Sequence, residues 1–273
     1  MNVDEYLKKI NCEEYRDVCF ENLKRLQQRN FQTFCFENLD MHMGKKISYD
    51  LEVTYDRLMN KSRGGYCLQL NSIFGWLLKQ LGYDVYFTPC YVYNPQLSRY
   101  IRLPIHIIMI VTLDNRKYYV DVGTTRDLNE PIEICTDKIQ KRLHGSFKFH
   151  TIEDEFYELL KETDNEWKIQ IKFKLEPRDL AYFNEMNQYV QTIEHPTIFF
   201  RTCVVKHFEN GMIYLIGYKF TELIFKEDGD VKNTTLLTLD EVKKVLKEKF
   251  ALNIPDSFEP VDNLDSYYKT LNN

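Results

Sequence analysis

The sequence predicts an α+β protein in which helices come first and strands follow. From Val3 to about Gly82, apolar residues recur three and four positions apart, which indicates several short helices packed together. From Tyr83 onward, runs of β-branched and aromatic residues separated by turn residues predict strands. Late in the chain, Thr238-Leu239-Asp240-Glu241 precedes an apolar period, which predicts a capped helix running to about Phe250.

Composition and charge narrow the class of protein. Hydrophobic residues make up 44% and charged residues 28% of the 273 residues, as in ordinary globular proteins. The net charge of -5 and the scattered basic residues argue against a nucleic-acid partner. No window reaches the roughly 18 uninterrupted apolar residues of a membrane span, and the amino terminus lacks a basic and apolar leader. We therefore expect a cytoplasmic protein with no membrane partner.

The seven cysteines and the many aromatic residues carry two further expectations. Seven is an odd number, and no close CxxC pair is present, so we expect reduced thiols and no metal site. The chain also contains 19 Tyr and 18 Phe, an aromatic content that suits flat apolar ligands.

Among the predicted helices, the one that begins after Arg63-Gly64-Gly65-Tyr66-Cys67 is the most informative. The glycine pair allows a sharp turn, apolar residues follow at helical spacing, and Gly82 ends the helix. A cysteine in a first helical turn lies at the positive end of the peptide dipole, which favours thiolate over thiol. Cys67 is therefore a candidate nucleophile, although a cysteine chosen at random is more often a small buried side chain.

The first predicted strands contain two polar anomalies. His106 lies in the apolar run 105–111, and Asp121 interrupts the apolar run 117–123. With a two-residue loop at Asp114-Asn115, the hairpin register places both side chains on one face of the sheet as diagonal neighbours. This pattern is consistent with two roles. His106 and Asp121 could form a purely structural pair, or His106 could be the base for Cys67 with Asp121 as the carboxylate that orients it.

Later segments complete the predicted strand region. Residues 167–173, 199–206 and 212–220 read as strands, with a hairpin turn at Glu209-Asn210-Gly211. The charge-rich stretches 137–142 and 153–166 are expected in or near surface connections.

These motifs resemble the arylamine N-acetyltransferase family, and in particular its animal branch. Arg63-Gly64-Gly65-Tyr66-Cys67 is similar to the nucleophile motif, Phe36-Glu37-Asn38-Leu39 to an upstream signature, and Val120-Asp121-Val122-Gly123 to the aspartate motif. The resemblance runs nearly end to end. It implies a helical bundle over residues 1–83, an antiparallel β-barrel over 84–190 and an α/β lid over 191–273.

The resemblance also implies an activity. Acetyl-coenzyme A would acylate Cys67, and an aromatic amine or hydrazine would then take the acetyl group in a ping-pong reaction without metal. His106 would be the proton partner and Asp121 the orienting carboxylate. A monomer that handles xenobiotic amines is expected. Two alternatives remain open: a thiol hydrolase such as an acyl-coenzyme A thioesterase, and a noncatalytic small-molecule binding protein on the same fold.

Further residues receive expected roles from the same resemblance. We expect Arg63 to pair with Glu37 and brace the turn before Cys67; an exposed pair contributing under about 1 kcal/mol is the alternative. Two stretches depart from the family pattern: Val122-Gly123-Thr124-Thr125 stands for the usual Ala-Gly-Phe-Gly, and Arg102-Leu103-Pro104 lacks the usual glycine. Residues expected to line the substrate and coenzyme pocket are Phe36, Tyr66, Arg102, Leu103, Thr124, Thr125, Tyr189 and Thr192.

Overall fold

The computed structural model describes residues 1–125, 128–136, 138–142, 145–191, 200–226 and 229–263. It has the predicted α+β architecture, with five of its α-helices in the first third of the chain and most of its strands, which are antiparallel, after it. The α-helices are α1 (Val3–Lys9), α2 (Phe20–Thr33), α3 (Leu39–His42), α4 (Leu51–Asn60), α5 (Cys67–Gln80), α6 (Asn184–Val190) and α7 (Leu239–Glu248). Two 3-10 helices cover Glu153–Glu155 and Leu180–Phe183.

Helix ends follow the local sequence signals. Asp50 begins α4 by accepting hydrogen bonds from the amides of Glu52 and Val53 at 3.0 and 3.1 Å. Gly82 follows α5 with a φ of +93°, the left-handed conformation that a helix-ending glycine supplies. Thr238 and Glu241 form the predicted capping box of α7. The helix ends at Glu248, two residues before the expected Phe250.

The larger sheet forms a nearly closed antiparallel barrel. Its strand order is β6-β5-β4-β2-β10-β9-β8-β7, with β3 paired to β2. A bridge from Thr136 to Phe149 helps to close it. The strands are β2 (Asp84–Asn94), β3 (Arg99–Tyr100), β4 (His106–Leu113), β5 (Arg116–Val120), β6 (Ile132–Glu133), β7 (Gln140–Arg142), β8 (Gly145–Ile152), β9 (Phe156–Thr163) and β10 (Glu166–Phe173).

The smaller sheet combines strands from the two ends of the chain. Its order is β1-β11-β12-β13-β14, and α7 packs on it through Val242 and Leu246. The two-residue strand β1 lies in the helical first third, yet it pairs with β11. The division into segments 1–83, 84–190 and 191–273 stays a prediction. The strands are β1 (Phe36–Glu37), β11 (Cys203–Phe208), β12 (Gly211–Ile216), β13 (Lys219–Ile224) and β14 (Val231–Leu236).

Two strand predictions need correction. The run 212–220 is not one strand, because Gly217 adopts a φ of +56° and turns the chain between β12 and β13. The stretch 153–166 is not mainly a connection, because β9 runs through it and pairs with both β8 and β10. Glu158, Leu159 and Leu160 are buried in a row, so β9 lacks the alternation of apolar and polar residues that would have marked it as a strand.

Side-chain alternation in β4 connects the helices to the barrel. Ile107, Met109 and Val111 belong to the core shared with the helices, whereas Ile108 and Ile110 face the separate core inside the barrel. The helix α5 contacts both β2 and β4. This packing fixes the amino end of α5 against the beginning of β4, where His106 lies.

Candidate active site

Cys67 is the first residue of α5, as the glycine-rich turn predicted. Its neighbour Tyr66 is extended, and the Gln69 side chain accepts a hydrogen bond from the Tyr66 amide at 3.3 Å. Gly64 packs so closely that a Cβ atom there would lie 2.1 Å from the carbonyl oxygen of Cys35. The cysteine side chain is buried, and its Sγ lies 3.8 Å from the carbonyl oxygen of Ile105.

A buried ion cluster braces this turn. Arg63 donates to both carboxylate oxygens of Glu37, from Nε at 3.0 Å and from Nη2 at 3.1 Å, so the structure brings the two expected residues together. The exposed-pair alternative is wrong, since the two side chains are only 8% and 0% exposed. Sequence reasoning missed two members: Arg57 and Asp40 join the cluster, and Arg57 Nε donates to the carbonyl oxygen of Gly64 at 2.5 Å.

The β4–β5 hairpin has the predicted register. Its two-residue loop is Asp114-Asn115, with φ values of +48° and +61°, and Leu113 pairs with Arg116. Every pair in the hairpin therefore has residue numbers that add to 229, as expected. Asp121 differs slightly from the prediction because β5 ends at Val120, which places the carboxylate one residue past the strand.

The hairpin brings His106 and Asp121 into contact. His106 Nε2 lies 2.7 Å from Asp121 Oδ2, and the aspartate is fully buried. Tyr119 donates its hydroxyl to the same oxygen at 2.8 Å. The other oxygen, Oδ1, accepts from Asn71 Nδ2 at 2.8 Å and from the Gly123 amide at 2.9 Å. A carboxylate only accepts hydrogen bonds, so it fixes the proton of His106 on Nε2.

The two groups shift each other's pKa in opposite directions. Burial by itself lowers the pKa of His106, but the charge and hydrogen bond of Asp121, together with a hydrogen bond to Cys67, outweigh it and raise the pKa. Burial raises the pKa of Asp121, yet the charge of His106 and hydrogen bonds from His106, Asn71 and Tyr119 lower it overall. The pair therefore favours imidazolium beside carboxylate.

Cys67 lies beside this pair, since its Sγ is 3.8 Å from the carbonyl oxygen of Ile105, the residue before His106, and its interaction with the imidazole helps to raise the pKa of His106. Because Asp121 occupies Nε2, the ring nitrogen that remains for the thiol is Nδ1. Such an arrangement can place the thiol proton on the imidazole and leave a thiolate at the start of a helix. The site thus combines a cysteine at the start of a helix with a histidine that Asp121 orients.

Gly123 allows the loop that follows Asp121 to approach the beginning of α5 closely. A Cβ atom there would lie 2.5 Å from Cys67 Cα and 2.9 Å from the Cys67 carbonyl oxygen. We expect Gly123→Ala to destabilise the fold by about 1–3 kcal/mol and to slow acylation of Cys67 by about 10²-fold, since the thiol must move. Thermal unfolding and the rate of thiol acylation measure the two effects.

Gly211→Ala is the matched control for that change, because its Cβ would lie 2.4 Å from the carbonyl oxygen of Leu223 in the smaller sheet. It should lower stability without slowing Cys67. Equal acylation rates in Gly123→Ala and the unsubstituted chain would show that the close approach has no bearing on the thiol.

Protonation of His106 makes stability depend on pH. A histidine whose pKa rises from 6.5 to about 10 on folding contributes its full stabilisation below pH 6.5 and loses it as pH approaches 10. Asp121, whose pKa is lowered from 3.8, contributes above that value and loses its contribution on acidification. We therefore expect the stability difference between the unsubstituted chain and His106→Gln to shrink between pH 6.5 and pH 10. Urea unfolding across this range measures it, and a difference independent of pH would contradict the raised pKa.

The expected pocket residues divide by exposure. Phe36, Tyr66 and Thr124 are buried, whereas Arg102, Leu103 and Thr125 are exposed. The Tyr66 hydroxyl hydrogen-bonds Asn187 on α6, and Phe36 is held in β1. These placements do not test the pocket assignments, which stay predictions.

Two of the expected coenzyme residues meet at one surface cavity. Leu103 and the half-buried Tyr189 line a cavity of about 540 Å³ together with Tyr91, Pro104 and Met186. Thr192, expected in the same pocket, lies outside the described residues.

Sequence reasoning missed Asn71 and Tyr119, whose side chains hydrogen-bond the carboxylate of Asp121. Asn71 carried a readable signal, because it lies four residues after Cys67 in an otherwise apolar helix and so shares its face. Tyr119 had no comparable signal in the sequence, because tyrosine is common in strands that are rich in aromatic residues.

Three general expectations can be compared with the structure. All seven cysteines lie in the described part of the chain, and none forms a disulfide. Within the described ranges, no group of three or more His, Cys, Asp or Glu side chains is arranged to hold a metal ion. Among the helices described, none is long and apolar enough to cross a membrane.

The fold and the cysteine site point to a class of acyl-transfer protein, and sequence comparison defines it. A family described as N-acetyltransferase matches residues 19–258. The liver isozyme of arylamine N-acetyltransferase from Gallus gallus is 31% identical over 286 residues, covering 96% of this chain and 99% of that protein. Arylamine N-acetyltransferase 2 of Homo sapiens is 29% identical, with 95% and 97% covered. The chain belongs to the arylamine N-acetyltransferase family, and acetyl transfer is its general activity.

Solved structures agree on the fold. The arylamine N-acetyltransferase of Mycobacterium abscessus superposes with a TM-score of 0.85 at 23% identity, covering 94% of this chain and 91% of that one. The Mycobacterium marinum enzyme, solved in complex with CoA, superposes with a TM-score of 0.81 at 22% identity, covering 92% and 93%. The predicted family and α+β fold are thus confirmed.

Proposed function

We propose that this protein transfers an acetyl group from acetyl-coenzyme A to the nitrogen of an aromatic amine or hydrazine, by a ping-pong reaction through acetyl-Cys67. One observation carries the proposal: Cys67 begins α5 with its Sγ 3.8 Å from the carbonyl oxygen of Ile105, next to His106, whose Nε2 lies 2.7 Å from the buried Asp121. Family membership supports acetyl transfer, and this geometry supplies the nucleophile, the proton partner and the orienting carboxylate.

In the first half-reaction, His106 holds the thiol proton and the Cys67 thiolate attacks the thioester carbonyl carbon. Amides in the first turn of α5 have no partner within the helix and can donate to the resulting oxyanion. When the tetrahedral intermediate collapses, the carbon bond to the coenzyme sulfur breaks and the imidazolium returns its proton to that sulfur. Acetyl-Cys67 and free coenzyme A result.

In the second half-reaction, the amine nitrogen attacks the acetyl carbonyl carbon. His106, now neutral, accepts the amine proton and later protonates the departing sulfur of Cys67. The products are the N-acetylated amine and the free enzyme. Throughout, Asp121 keeps the proton on Nε2 of His106, so that Nδ1 can exchange a proton with the reacting groups.

The loop before His106 supports the coenzyme part of the proposal. Arg102 and Leu103 are exposed in this loop. The Arg102 guanidinium is thus accessible to a phosphate of the coenzyme, and the apolar Leu103 side chain is accessible to the arm of the coenzyme. On the other side of the site, Thr124 and Thr125 would present a shorter and more polar wall than phenylalanine does, which suits a bulkier or hydroxylated acceptor. We infer a cytoplasmic monomer, for which cysteines that form no disulfide are suitable.

Mass spectrometry of the intact protein after incubation with acetyl-coenzyme A tests the proposal. The mass of one acetyl group should be gained, lost again on adding an aniline or hydrazine, and never gained by Cys67→Ala. Cys19→Ala, which removes an exposed cysteine, is the matched control and should be acetylated normally.

The other outcomes distinguish the alternatives. An acetyl-enzyme that decays at the same rate with and without amines indicates a thiol hydrolase. No covalent adduct under any condition would leave only the noncatalytic binding protein.

A further inference from the structure

Asn71 is a fully buried asparagine one helical turn after Cys67 on α5. Residues four apart lie on the same face of a helix, so the amide projects toward the same neighbours as the thiol. All the rest of that face is apolar or belongs to the site, and a buried amide persists only where its hydrogen-bonding groups find partners.

Its partners come from two other parts of the site. Asn71 Nδ2 donates to the carbonyl oxygen of Ile107 at 2.7 Å and to Asp121 Oδ1 at 2.8 Å. Its Oδ1 accepts from the Val122 amide at 2.8 Å. Ile107 directly follows His106, and Val122 directly follows Asp121. One side chain thus joins the cysteine helix to the histidine strand and the aspartate loop.

We propose that Asn71 is a positioning residue that holds Cys67, His106 and Asp121 in mutual register during acyl transfer. The inference rests on the proposed function. It also follows from the contacts that Asn71 touches none of the reacting atoms and acts through the three residues that it aligns.

The chemistry of the amide explains why no simpler side chain serves here. Two donors on nitrogen and an acceptor on oxygen are all used, in a fixed planar geometry. Aspartate has the same size but would set a carboxylate against the Ile107 carbonyl and Asp121, so two attractive contacts become repulsive. Alanine removes all three contacts and leaves the Asp121 carboxylate with less support on its Oδ1 side.

The test compares Asn71→Ala and Asn71→Asp with Asn30→Ala. Asn30 is the matched control because it is equally buried and hydrogen-bonds a tyrosine, Tyr6, at 2.7 Å outside the site. Each variant is assayed below its unfolding temperature for two rates: single-turnover acetylation by acetyl-coenzyme A, and alkylation of Cys67 by iodoacetamide across pH.

We expect both Asn71 variants to acetylate Cys67 about 10²-fold more slowly, the usual result of a misplacement of about 1 Å. The pH at which alkylation reaches half its maximal rate should also rise, because a displaced Asp121 supports the imidazolium of His106 less well. Asn30→Ala should lose stability while keeping the acetylation rate and the alkylation profile of the unsubstituted chain.

Acetylation rates and alkylation profiles unchanged in folded Asn71→Ala and Asn71→Asp would overturn the proposal. So would failure of both to fold while Asn30→Ala folds, since the role of Asn71 would then be structural alone. If the unsubstituted chain is never acetylated yet the alkylation profile still shifts in the Asn71 variants, the proposed function fails and the positioning role stands.

Discussion

Replacing Asp121 by asparagine is expected to lower the acetylation rate of Cys67 by about 10³–10⁴-fold, as loss of the aspartate does in serine protease triads. An asparagine amide facing His106 Nε2 would donate a hydrogen bond to it and so favour the tautomer with its proton on Nδ1. Nδ1 is the ring nitrogen that the contact with Asp121 leaves available, and with a proton already on it, it could no longer accept the thiol proton. Single-turnover acetylation followed by mass spectrometry measures the loss.

Asp114→Asn is the control for this change. Asp114 is an exposed loop residue of the same hairpin with a φ of +48°, a conformation that asparagine adopts readily. Its acetylation rate should match that of the unsubstituted chain. An Asp121→Asn rate within tenfold of that value would mean that the carboxylate does not control the tautomer of His106.

Glu37→Gln is expected to give the largest loss of stability, about 3–5 kcal/mol, because it leaves two buried guanidinium groups short of a negative charge. Glu37 is fully buried and accepts hydrogen bonds from Arg57, Arg63 and the Leu39 amide. Acetylation should also slow, since Arg57 links the cluster to the Gly64 carbonyl in the turn before Cys67. Urea unfolding measures the first effect.

An exposed pair provides the comparison. Asp4 and Arg16 lie 2.5 Å apart with side chains 75% and 48% exposed, and Asp4→Asn should cost under about 1 kcal/mol. Similar losses of stability in Asp4→Asn and Glu37→Gln would show that burial of the cluster contributes nothing, and would remove the reason to regard it as a brace. Arg63→Ala should behave like Glu37→Gln.

Local rules account for the parts of the site that the sequence predicted. A two-residue loop at Asp114-Asn115 fixes the register, and that register brings residues 106 and 121 to the same face. The helix beginning at Cys67 follows from a glycine pair and apolar spacing, both readable along the chain. The pairing of Arg63 with Glu37 came instead from family resemblance.

The parts of the site that the sequence did not predict depend on contacts between segments that are distant along the chain. Arg57 and Asp40 join the ion cluster because α3, α4 and β1 meet at the turn before Cys67. The spacing of apolar residues along the sequence does not predict that these three elements meet. Asn71 had a signal in its spacing, but its partners on β4 and the aspartate loop appear only after packing. The single strand expected over 212–220 failed because Gly217 was not recognised as a turn residue.

The short strand β1 has a consequence for how the protein is made. Phe36 forms a β-bridge with Gly65 on one side and pairs with Val205 of β11 on the other. The turn before Cys67 is therefore connected through Phe36 to a strand that is synthesised much later. During synthesis the first five helices and the hairpin that follows His106 emerge from the ribosome before β11, so Phe36 at first has no strand to pair with. A chain released before residue 203 would contain Cys67, His106 and Asp121 but would lack β11, the strand that pairs with Phe36. The turn that positions Cys67 therefore gains its full set of backbone contacts only after β11 has been synthesised.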